Sequence, residues 1–173
     1  MSAEITKVYR ETHPALRFIG TRYTDADRDP VTGMFSPKWG EWHSENRFGL
    51  LEKHAAPDPT NGDAYIGLMG AGADGFEYWI GMFFPENTPP LDGFDYADIP
   101  ASEVGVCWIH GTEPDVYMQT MQCYAELLGE EMPVPQKEEL GRWFEFERYN
   151  CPRFTTPDAD GKIILDYGVY LKD

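Results

Sequence analysis

The sequence predicts an α+β fold: two strand-helix-strand-strand units set edge to edge, forming a concave antiparallel sheet groove with helices on the other side. Three observations carry the prediction. The same order of elements is read twice along the 173 residues. Each half closes on a hairpin with an Asp-Gly turn, Asp74-Gly75 and then Asp160-Gly161. Hydrophobic residues make up 42% and aromatics 14%, spread along the chain, which is enough for a real core in one domain. A single domain over 1–173 is expected, with repeat 1 at about 15–90 and repeat 2 at about 98–173.

In the first half, Arg17 to Tyr23 alternates as a strand does. A turn-rich insertion from Asp25 to Lys38 follows, placed to reshape the mouth of the groove. Ser36-Pro37 offers an N-cap with proline in the first turn. Trp39, Trp42, Asn46 and Leu50 then fall at helical spacing, and the helix ends near His54. Ala64 to Met69 and Phe76 to Phe84 read as a hairpin, and Pro85 to Gly93 as a proline-rich crossing.

In the second half, Val104 to Ile109 is a strand. Thr112 caps a helix, with Pro114 in its first turn and Asp115 as the acidic partner of a capping box. Tyr117, Met121, Tyr124 and Leu128 set its apolar period, and Gly129 and Pro133 stop it. Met118, Met121 and Met132 are expected in the core. Trp143 to Tyr149 and Ile163 to Leu171 are the closing strands.

The formal net charge is −16, from 30 acids against 14 bases. Such a field repels phosphates and attracts cations, so direct nucleic-acid binding is not expected. No apolar run is long enough for a membrane helix, and Met1-Ser2-Ala3-Glu4 does not open a signal peptide, so a cytoplasmic protein is expected. Cys107, Cys123 and Cys151 lack the spacing of a zinc site or a disulfide framework. The four histidines show no metal-ligand spacing, and no phosphate loop or dinucleotide fingerprint occurs. No cofactor and no metal are expected.

One segment stands out, Trp143-Phe144-Glu145-Phe146-Glu147-Arg148-Tyr149. Alternation puts Phe144, Phe146 and Arg148 on one face of the strand, and Trp143, Glu145, Glu147 and Tyr149 on the other. A carboxylate among aromatic rings is costly to bury unless it meets a cation, and it is what a pocket for a flat, positively charged molecule needs. By alternation Glu145 and Glu147 are equal candidates. If both face one groove, their repulsion raises one of the two pKa values.

The chain resembles the GyrI-like, or AraC-type, effector-binding domains from about Ala15 to Lys172. The resemblance rests on Phe76-Glu77-Tyr78-Trp79-Ile80-Gly81, on Pro100-Ala101 before Glu103-Val104-Gly105-Val106, and on Ile109-His110-Gly111. It continues through Phe146-Glu147-Arg148-Tyr149 and Asp158 to Asp166. It implies a groove that binds amphipathic, often aromatic and cationic, molecules, with Glu147 as the buried charge partner. Glu145, Tyr149, Tyr78, Trp79, Trp108, Phe48 and Trp39 are the other candidate ligand-binding residues. Tyr78 and Trp79 point to opposite faces, so only one can line the groove. Some stand-alone relatives resemble hydrolases of cyclopropane-bearing alkylating compounds. That implies an alternative, catalytic use of Glu147 as general base with Tyr149. Other relatives act on gyrase, which implies a protein-interaction module as a further alternative. With about fourteen residues before the first predicted strand, no DNA-binding domain is accommodated, and a stand-alone member is expected.

Overall fold

The computed structural model describes residues 3–173. Its strands are β1 (Glu4–His13), β2 (Leu16–Thr24), β3 (Tyr65–Gly72), β4 (Gly75–Pro85), β5 (Asp95–Ile99), β6 (Ser102–Gly111), β7 (Trp143–Tyr149) and β8 (Ile163–Tyr170). Its α-helices are α1 (Ser36–Ser44), α2 (Arg47–His54) and α3 (Thr120–Gly129). The fold is α+β, with one eight-stranded antiparallel sheet in the order β1-β6-β8-β7-β3-β4-β2-β5. This order maps onto itself when the two halves are exchanged. The exchange axis falls between β3 and β7.

Two strands were not anticipated. β1 occupies the residues ahead of the first predicted strand, and β5 follows the proline-rich crossing. Each belongs to one half but pairs with the other: β1 with β6, and β5 with β2. Pro14-Ala15 joins β1 to β2, and Pro100-Ala101 joins β5 to β6. Two residues bridge only about 10 Å, yet each link runs from one edge of the sheet to near the opposite edge. The sheet therefore curls. His13 shows the result: its ring lies 6.2 Å from that of Phe83, although β1 and β4 are five strand spacings apart, about 24 Å across a flat sheet.

The inside of the curl is packed solid. Leu16, Phe18, Ile66, Leu68, Phe83, Val104, Val106 and Phe146 are all buried there. Its polar centre is Arg148. The guanidinium donates to Asp166 at 2.9 Å, to Glu11 at 2.7 and 3.0 Å, and to Asn61 at 2.9 Å. Asp166 is fully buried and also receives Asn150 and Arg153. Glu11 and Arg148 sit three strands apart, so this ion pair ties β1 across the curl to β7.

The helices cover the outer face. α1 and α2 bury Trp42, Phe48 and Leu51 against β2 and β4. They are one helix in the periodicity but two in the fold. Asn46 takes a left-handed conformation, φ 51°, a region that asparagine tolerates, and it breaks the run. α3 buries Cys123 and Leu127 against β6 and β8. It starts later than its predicted cap at Thr112. Asp115–Met118 form a separate 3-10 turn, and the buried residues sit between the predicted apolar positions. Met118, Met121 and Leu128 are accordingly exposed, at 74%, 87% and 50%, rather than in the core.

Candidate functional site

The same face that carries the helices carries a cavity, centred on the β3–β7 seam. The inner side of the sheet is filled by the inner core, and α1 and the 113–120 segment flank the cavity on the outer face. The cavity measures about 700 Å³, within the range of small-molecule sites. α1 and the insertion before it form one bank; Glu113, Tyr117, Thr120 and the Phe154-Thr155 loop form the other.

Strand register sets the floor. On β7, Glu147 lies opposite Gly67 of β3 on one side and Tyr167 of β8 on the other. Glu145, Glu147 and Tyr149 share a parity and all line the cavity, with Tyr65 and Met69 from β3, Tyr78 from β4 and Tyr167 from β8. Gly67 leaves the space in which Tyr78 reaches its neighbour. A Cβ there would collide with the Tyr78 hydroxyl and lie 3.0 Å from Glu147 Oε1. Gly67→Ala is expected to lower stability by about 1–3 kcal/mol and to weaken ligand binding with it. Urea denaturation checks the first effect and titration the second.

Glu147 is held by hydroxyls. Tyr78 donates to Oε1 at 3.0 Å and itself accepts from Trp39 Nε1 at 2.9 Å. Phe35 stacks on Tyr78 with ring centroids 4.4 Å apart and planes within 5°. Trp39 meets Tyr149 edge-on at 4.9 Å. The Glu147 carboxyl keeps an edge open to the cavity and is otherwise enclosed by protein. Burial raises its pKa, and the Glu145 charge adds to the rise. Hydrogen bonds from Tyr78 and Tyr149 offset part of this, and the pKa stands at about 7. The repulsion anticipated between the two acids is present but secondary to burial.

The other acids of the cavity are dressed in the same way. Tyr124 donates to Glu145 Oε2 at 2.8 Å, and Tyr117 donates to Glu113. On the packed inner face the pattern differs: Glu77, Asp166 and Glu11 each hold at least one arginine. The arginine lining the cavity, Arg28, is bound to Asp25 at 2.7 Å and lies over the rings of Phe35 and Phe76. Among the described residues, the cavity thus presents three carboxylates to aromatic walls without a basic partner bonded to any of them.

Of the eight candidates from the sequence, the fold brings Glu147, Glu145, Tyr149, Tyr78 and Trp39 together. It directs Trp79 and Trp108 elsewhere. Trp79 has the parity opposite to Tyr78, so it points into the inner core, packs on Phe18 and donates to Glu77. Trp108 is on that same inner side, against Tyr9, Lys7 and Arg153. Phe48 lies one layer back, stacked under Tyr65 at 3.7 Å. Phe35, Tyr65, Phe76, Tyr117, Phe154 and Tyr167 line the cavity and were not among the candidates. Hairpin parity offered a signal for Tyr65 and Tyr167; the loop residues offered none.

No protein-family model matches the chain, and no curated protein sequence does. Solved structures share its fold. A candidate bacterial transcription regulation protein from Staphylococcus aureus MU50 is 18% identical with a TM-score of 0.67, covering 96% of this chain and 99% of that one. SAV2435, solved bound to tetraphenylphosphonium, is 18% identical with a TM-score of 0.68, covering 96% and 94%. The EcmrR C-terminal domain is 8% identical with a TM-score of 0.58, covering 96% and 98%. In the cryo-EM structure of an EcmrR–DNA complex, the matched region is 58% of the EcmrR chain. Among the described residues no helix is long and apolar enough to cross a membrane.

Proposed function

We propose that this chain is a GyrI-like effector-binding domain whose outer cavity takes an aromatic or amphipathic organic cation, with Glu147 as its charge partner. The observation that carries the reading is the dress of that carboxylate. It is enclosed, it faces a cavity of ligand size, and its protein partners are tyrosine hydroxyls rather than a guanidinium. An incoming cation supplies the missing charge, and the ring faces of Phe35, Trp39 and Tyr149 add about 0.5–2 kcal/mol per cation–π contact. SAV2435, of the same fold, was solved with a lipophilic cation, which supports the class of ligand. The net charge of −16 favours cations over phosphates, so no direct nucleic-acid contact is part of this reading.

Tryptophan fluorescence is the natural reporter, since Trp39 lines the cavity. Tetraphenylphosphonium is expected to quench it saturably, while tetraphenylborate, of nearly the same shape and opposite charge, leaves it unchanged. Equal binding of both ions, or of neither, would sink the proposal.

A second reading draws on the same carboxyl. With a pKa of about 7 and Tyr149 beside it, Glu147 is poised to accept a proton from water near neutral pH. A hydrolase of electrophilic small molecules uses it as general base. Consumption of such a substrate by the wild type, lost in Glu147→Gln while binding persists, distinguishes turnover from capture.

A further inference from the structure

The cavity does not end at Glu145. A second cavity of about 420 Å³ adjoins it at Thr120 and Glu145, which line both. It runs as a trough along α3, with Tyr124, Val134 and Leu140 in its lining and the exposed Met121 and Leu128 at its rim. Glu145 stands at the junction, its Oε2 held by the Tyr124 hydroxyl from the trough side. Lys137 also lines the trough but forms no ion pair with Glu145 among the described residues. Glu145 and Glu147 therefore project from one strand face, two residues and about 7 Å apart. One opens on the aromatic walls, the other on an apolar trough.

A ligand with a single positive centre satisfies only half of this arrangement. Bound at Glu147, it covers Glu145 and strips water from it without supplying a charge, which is unfavourable for a carboxylate. Building on the reading above, we infer that the site is shaped for an elongated ligand with two positive centres. One sits between the aromatic walls at Glu147, the other at Glu145, and an apolar portion lies along the trough. The second centre is delivered by the first, so its pairing is intramolecular and adds affinity without a second encounter.

The test titrates one head group in two formats, a trimethylammonium monocation with an alkyl tail and a series of bis(trimethylammonium) alkanes of increasing linker length. Wild-type protein is expected to bind the best dication about tenfold or more tighter than the monocation. The optimum should fall at the linker that sets the nitrogens about 7 Å apart. In Glu145→Gln the advantage of the dication over the monocation collapses. Should that variant fail to fold, the length dependence in wild type still decides. Dications that bind no tighter than the monocation at any length overturn this inference and leave the single-charge reading standing. If neither format binds, the cation reading falls and this inference with it.

Discussion

Arg148→Met is expected to lower the folding free energy by about 3–5 kcal/mol, the penalty for breaking a buried ion pair from one side. Urea denaturation at pH 7 reads the loss directly. The methionine fits the space of the alkyl stem but leaves Asp166, fully buried, and Glu11 without the guanidinium that binds both. Arg153 still reaches Asp166, so Glu11 is the more exposed to the loss. Its pKa shows how much it depends on its partners. Burial alone would raise it, but hydrogen bonds from His13 and Arg148 and the Arg148 charge bring it down to about 2. A carboxyl held below its unfolded value of 4.5 contributes stability above that value, and loses it as pH falls toward 2. The wild type and Arg148→Met should therefore draw together as pH drops from 7 to about 3, because the acid that lacks its cation can then take a proton. A gap that stays constant over that range would show that the packing of Arg148, rather than its charge, carries the effect.

That network also explains what could be read from the chain and what could not. β7 was legible because most of its residues alternate between the inner core and the cavity face, and β8 because it is a short, largely apolar run that is buried on both faces. β1 was not legible, because its alternation is faint. Most of Glu4–His13 is at least partly exposed, and what holds it is pairing with β6 and the reach of Glu11 to Arg148, both remote in sequence. The duplication carried one overlooked signature. Pro14-Ala15 and Pro100-Ala101 occupy equivalent links, each closing the curl by carrying the chain across the sheet. Strand parity placed Glu145, Glu147 and Tyr149 on one face without saying which face has the cavity. That depends on the curl: it closes the Trp79 side into a core and leaves the Tyr78 side to be banked by helices. Phe35 and Phe154 reach the cavity from loops whose course is set by tertiary contacts, so no local pattern announced them.

Glu147→Gln is the decisive substitution for function, and it should act in opposite directions on binding and on stability. The glutamine keeps the shape and still accepts from Tyr78, but it removes the charge. Tetraphenylphosphonium affinity is expected to fall about 10- to 100-fold at pH 8, equivalent to about 1.4–2.7 kcal/mol, while stacking on the aromatic walls persists. In the wild type only the ionised carboxylate pairs with the cation. With a pKa of about 7, the affinity should strengthen about tenfold from pH 6 to pH 8. The variant should be flat over that range. Stability runs the other way. The folded state holds the Glu147 proton more tightly than the unfolded chain does, so the wild type binds more protons folded than unfolded between 4.5 and about 7. Its stability contribution is complete below 4.5 and is lost as pH rises through about 7. Relieved of a buried charge, Glu147→Gln is expected to melt about 2–6 °C above the wild type at pH 8 and level with it near pH 4.5. Differential scanning fluorimetry across pH reads one half of the prediction and fluorescence titration the other. A residue retained for folding alone would lose stability when neutralised; a residue retained to meet a cation gains stability and loses the ligand. A variant that melts lower at pH 8 and binds the cation as the wild type does would assign Glu147 to the scaffold and send the search for the charge partner to Glu145 and Glu113.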